Sequence, residues 1–197
     1  MRFIDFLFFI SVFCFFSCSR REHSVSDFPP YKLILDFSEK LKKETGLVLF
    51  GYGVNNNLQK CYEIKNGVAN FGISYYLFKE RQDAISLEEA RNLLVYVVES
   101  FLNEINGNEV IRSELDLFPF TSDFIKVSIH FVDKNKIDLG RGVAYVYFSR
   151  GKIDYEKYDI EEYREVYPAI GKHSIIHQES YRDALDIVKR SNHIYRS

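Results

Sequence analysis

The sequence predicts an α+β fold, an antiparallel sheet with helices packed on one face as a two-layer sandwich, and three observations predict it. First, Ser86 to Gly107 carries apolar side chains at Leu87, Ala90, Leu94, Val97, Phe101 and Ile105, three- and four-residue steps that gather on one stripe of an α-helix. Second, Phe124 to Val132 and Val143 to Tyr158 alternate apolar and polar residues with the period of a half-buried strand. Third, the elements follow one another as helix, strand, hairpin, then helix, strand, hairpin, then helix. That order suggests a possible α-β-β-β repeat, although no sequence identity links the halves.

Each element has its own signals. Pro30 to Thr45 reads as a helix: Pro29 and Pro30 suit its first turn, Ile34, Phe37 and Leu41 form its stripe, and Gly46 is placed to end it. Leu47 to Val54 is β-like. Cys61 to Lys65 and Val68 to Phe78 flank Asn66-Gly67, a strong hairpin signal, and closing a hairpin there sets Tyr62 opposite Phe71 and Ile64 opposite Ala69. The central helix starts with a capping box, Ser86 and Glu89, and can stop at Gly107. Asn108 to Ser113 adds a helical turn, and the apolar loop from Leu115 to Phe120 reads as a plug over one end of the core.

In the second half, the turn Arg150-Gly151 joins two strands whose register is testable. Ala144, Val146, Phe148, Ile153 and Tyr155 share one face, and Tyr145, Tyr147, Asp154 and Glu156 the other. Residues 160 to 178 fit a short helix or more strand equally well. Ser180 to Arg190 is a last amphipathic helix with Asp183 three places after its Ser cap. With 197 residues the chain accommodates one domain, read as residues 30 to 190 with a tail from 191 to 197.

A net charge of -2, with Lys and Arg occurring in short pairs, leaves no basic field for a nucleic acid, so none is expected as a partner. Residues 1 to 17 are of another kind. Arg2 is followed by the apolar run FLFFISVFCFF, Phe6 to Phe16, then Ser17, Cys18 and the polar SRREHSVSD. A basic start, a short apolar run and a small residue before the cut mark a secretory signal rather than a spanning helix, which needs about 20 apolar residues. The stretch ending at Ser17-Cys18 resembles a bacterial lipoprotein signal peptide with its lipidated cysteine. Phe15 and Phe16 are bulkier than that pattern usually has.

The resemblance covers residues 1 to 18 and implies removal of 1 to 17, acylation of Cys18 by palmitate-type chains, and a tether through residue 29. It further implies a domain held at a membrane outside the cytoplasm. Ser19 stands where an Asp often signals inner-membrane retention, which favours the outer membrane. The folded domain resembles no characterised family. With Cys14 and Cys18 in the leader, Cys61 is the remaining thiol, and no intramolecular bridge is expected to stabilise the domain.

Motifs for chemistry are weak. His173 and His177 are spaced as helical zinc ligands, but Ser174 stands where a zincin has Glu, and polar surface histidines are the better reading; no metal and no cofactor are expected. Gly51 and Gly53, and Gly140 and Gly142, lack the Lys-Ser/Thr of a phosphate loop and read as bends or bulges. Tyr145 and Tyr147 rise above this background. They lie on the face expected to be wet, beside Asp154, Glu156 and Lys152, with Val143 adding apolar area, and contiguous exposed aromatics mark contact surfaces. The competing reading has residues 160 to 178 folding back over them.

The expected function is therefore that of a non-enzymatic, membrane-tethered envelope lipoprotein that contacts another envelope component, with Tyr145, Tyr147, Asp154 and Glu156 as the binding surface. Two alternatives stand beside it. One is an envelope hydrolase using the carboxylates with His130 or His177, and the other is an inhibitor or immunity-type lipoprotein.

Overall fold

A computed structural model describes residues 28–56, 67–80, 82–137, 139–159 and 172–194. The leader, Cys18, the tether as far as residue 27, Cys61 and residues 160–171 lie outside the described residues. The elements run α1 (Pro29–Thr45), β1 (Val48–Asn56), β2 (Val68–Phe78), α2 (Leu87–Gly107), α3 (Glu109–Arg112), β3 (Ile125–Val132), β4 (Tyr145–Ser149), β5 (Lys152–Asp159), β6 (Lys172–Ser180) and α4 (Tyr181–Ile194). The fold is α+β, with one open six-stranded sheet whose spatial order is the chain order, β1 to β6.

Helix α2 forms where its periodicity places it. Its capping box is complete: the Ser86 hydroxyl accepts from the Glu89 N–H at 3.1 Å, and the Ser86 N–H donates to the Glu89 carboxylate at 2.9 Å. Ala90, Leu94, Val97, Val98, Phe101 and Ile105 are fully enclosed. The Phe101 ring meets Phe37 of α1 at 4.9 Å and Phe71 of β2 at 5.5 Å, so this one side chain joins both helices to the sheet. At the far end α4 docks through Tyr181, whose ring lies 4.9 Å from Phe148 and whose hydroxyl donates to Glu99 of α2 at 2.7 Å. Among the described residues no helix is long and apolar enough to cross a membrane.

Four of the five strand pairings are antiparallel; β2 and β3 are parallel. A parallel neighbour cannot be reached by a tight turn, so α2 and α3 form the crossover that returns the chain to the same end of the sheet. The sequence contains no mark of this choice, because the alternation in β3 is the same in either direction.

The Asn66-Gly67 hairpin is corrected. Phe71 is paired with Val54 of β1 on one side and Ile125 of β3 on the other, and not across the turn as the expected register had it. Cys61 to Lys65 themselves lie outside the described residues. Val143, expected on the open face, is buried, its N–H donating to Ile85 at 2.8 Å. Gly142 beside it has φ +71, and a Cβ there would collide with the Ile85 backbone, so this glycine permits a close approach of two chains. The apolar loop is half a plug: Phe120 is buried against Phe71 and Phe124, whereas Leu117 and Phe118 are exposed. Helix α4 continues past Arg190 to Ile194, into the expected tail.

Candidate binding surface

Strand alternation sorts the sheet into two faces. Phe71, Ile73, Tyr75, Ile125, Val127, Ile129, Val146, Phe148, Ile153 and Tyr155 are buried on the face toward the helices. The other face carries Ser74, Tyr76 and Phe78 of β2, Lys126, Ser128 and His130 of β3, Tyr145 and Tyr147 of β4, and Asp154, Glu156 and Tyr158 of β5. No described helix packs on this open face.

The rings on the open face form a continuous belt from β1 to β6. Phe50 of β1 stacks on Tyr76 with centroids 4.0 Å apart and touches His130 at 5.3 Å. His130 leads to Tyr145 at 4.3 Å, Tyr145 to the nearly parallel ring of Tyr147 at 6.3 Å, and Tyr145 to His173 of β6 at 5.7 Å. Tyr158 closes the row, 5.7 Å from His173. Beside the belt, Gly53 and Gly72 sit opposite each other and remove side chains from the floor, leaving a depression of about 180 Å³ bordered by Asn70 and Lys126.

Polar groups are threaded through the rings. The hairpin register sets Tyr145 opposite Glu156 and Tyr147 opposite Asp154, as the alternation predicts. Asp154 accepts from Gln178 at 2.8 Å and lies 3.3 Å from the Lys152 ammonium. The Glu156 carboxylate is 3.6 Å from His173 Nδ1. Partial burial raises the Glu156 pKa; His173 works against that rise and Asp154 adds to it. The Tyr145 hydroxyl is pushed up to about 12, by burial first and the Glu156 charge second, with its hydrogen bond to the Ser128 side chain opposing both. The Lys136 ammonium lies over the Tyr76 ring at 5.6 Å, so the belt already holds one cation on a π face.

A second polar cluster is buried on the helix side. Arg91 Nε of α2 donates to Glu179 Oε1 of β6 at 2.8 Å, and the Tyr155 hydroxyl donates to the same oxygen at 2.5 Å. His177 Nε2 is 3.7 Å from the other Glu179 oxygen. The Tyr155 pKa is raised, by burial first and by the Glu179 hydrogen bond and charge next. This cluster pins the start of α2 to the last strand.

Among the expected site residues, Tyr145, Tyr147, Asp154 and Glu156 come together on the open face, whereas Cys18 lies outside the described residues. Lys172 to Ser180 runs as strand beside β5, so this part of the ambiguous segment does not fold back over the tyrosines. His173 and His177 are separated by a bulge: Glu156 pairs with Ile175 and Tyr155 with His177, leaving Ile176 as the extra residue. The bulge turns His173 to the open face and His177 to the helix side, so the two imidazoles cannot share a ligand and His177 does not converge with His130. Phe50, Tyr76 and Phe78 were not part of the expected surface. The alternation of Tyr76 and Phe78 holds that signal, but it becomes readable only once β2 is known to lie between β1 and β3. Comparison with protein-family models, curated proteins and solved structures finds no match to this chain.

Proposed function

We propose that this chain is a membrane-tethered lipoprotein of the cell envelope, held outside the cytoplasm by an acylated Cys18, whose open sheet face binds another envelope component without catalysing a reaction. The observation that carries the binding half is the aromatic belt itself. Phe50 and Phe78 are 44% and 40% exposed and Ile175 is 52% exposed, on a face that also presents Tyr145 and Tyr147. Large apolar side chains contiguous on one surface mark contact sites, since leaving them in water forgoes about 25 cal/mol per Å². The tether half rests on the leader of residues 1 to 17 and the Ser17-Cys18 junction. Ser19, standing where such lipoproteins often carry an Asp for inner-membrane retention, favours the outer membrane slightly.

A hydrolytic role would draw on His130 and Glu156, since His177 lies on the opposite side of the sheet.

The tether is tested by feeding cells an acyl-chain probe and comparing wild type with Cys18→Ala. Label and membrane retention in wild type, both lost in the variant, support it; equal label in the two defeats it. The face is tested by formaldehyde crosslinking in the same cells. The Tyr145→Ser/Tyr147→Ser variant is expected to lose the adducts that wild type forms, and unchanged adducts would remove the belt from the account.

A further inference from the structure

We propose that the β4 to β6 half of the open face recognises a basic side chain, arginine or lysine, presented by a partner protein, with Tyr145 and Tyr147 as the stacking platform and Glu156 as the counter-charge. This deepens the binding role proposed above and rests on it.

Charge complementarity selects the occupant. The faces of tyrosine rings carry negative potential, and a cation within about 6 Å of such a ring is attracted to it. Tyr145 and Tyr147 present two nearly parallel rings, and the hairpin register puts a carboxylate directly across from each. Lys152 already answers Asp154 at 3.3 Å. Glu156 lies between β4 and β6, opposite Tyr145 and within the field of His130, with the His173 imidazole at 3.6 Å and that imidazole in turn against the rings of Tyr145 and Tyr158. Among the described residues this half of the face thus presents two carboxylates, Asp154 and Glu156, and one ammonium, Lys152. Lys126 and Lys136 stand on β3 and in the loop after it, and Lys136 lies on Tyr76 as the partner's cation is proposed to lie on Tyr145 and Tyr147.

A macromolecular source is favoured by size. The belt crosses all six strands, a span of roughly 24 Å at the usual strand spacing, which exceeds one small ligand and suits a segment of protein surface. Exposed Ile175, paired with Glu156, adds apolar area beside the charge for the methylenes of an arginine or lysine stem.

The test is an NMR titration of the full-length chain in detergent micelles, reading ring-labelled tyrosines with four probes: N-acetylarginine methylamide, N-acetyllysine methylamide, N-acetylcitrulline methylamide and choline. Expected are shifts of the Tyr145 and Tyr147 rings with the arginine or lysine probe, at least five-fold weaker binding of citrulline, which has the shape of arginine without its charge, and a comparable loss of arginine binding in Glu156→Gln. Citrulline equal to arginine would overturn the proposal while leaving the face a binding surface. Choline binding tighter than both basic probes would also overturn it, pointing to a lipid headgroup. Rings unmoved by any probe would overturn it, and only unchanged crosslinks in the Tyr145→Ser/Tyr147→Ser variant would in addition remove the face from the binding role.

Discussion

Glu156, opposite Tyr145 on the open face, holds its place at the expense of stability. Its pKa is raised in the folded protein by partial burial, so between the unfolded and folded values the native state binds more protons than the unfolded chain. Stability contributed by the protonated form is therefore present at low pH and is lost as pH rises above about 4.5, the ordinary value for this group. The Glu156→Gln variant, which cannot ionise, is expected to gain in urea midpoint over wild type as pH is raised through that window; a constant offset at every pH would contradict the assignment. Arg91 and Glu179 behave differently, because both side chains are about nine-tenths buried. Arg91→Ala leaves the Glu179 charge enclosed and is expected to lower unfolding free energy by about 3–5 kcal/mol, while Arg91→Met with Glu179→Leu recovers most of it. Urea titrations of the single and double variants measure the coupling directly.

Whole elements hold the cues that were legible in sequence and some that were not. The capping box of α2 was readable from Ser86 and Glu89, since its chemistry is local. Removing the hydroxyl in Ser86→Ala is expected to cost about 1 kcal/mol, seen as a lower urea midpoint with an unchanged slope. The register of β4 with β5 was equally readable, because the Arg150-Gly151 turn fixes it and both residues adopt positive φ. In β6 the bulge was not readable. A single unpaired Ile176 reverses the facing of everything before it, and HSIIH gives no composition cue for where an extra residue will be tolerated. Phe101 of α2 belongs here too: its ring contacts α1 and β2 together, and Phe101→Ala is expected to cost about 3–5 kcal/mol by chemical denaturation.

At the scale of the molecule, helices lie on one side of a six-stranded sheet and a belt of rings on the other. The two-layer architecture was legible because alternation reports only which residues face inward, and it did so correctly for β3, β4 and β5. The order of strands was less so. Asn66-Gly67 is a strong local turn signal, yet the partners of β2 are β1 and β3, chosen by long-range burial of Phe71, Ile73 and Tyr75 that no local pattern encodes. The belt was legible in part for the same reason: Tyr145 and Tyr147 sit within one hairpin, whereas Phe50, Tyr76, His130 and His173 reach them only through pairings between distant strands. The central claim is that the open face, and not the helical one, is the working side of a tethered domain. Placing a photo-crosslinking amino acid at position 147 on the belt, or at position 182 on the exposed side of α4, and irradiating intact cells tests it most directly. The account predicts a discrete membrane-associated adduct from position 147 and none from position 182; adducts of equal yield from both, or from position 182 alone, would contradict it.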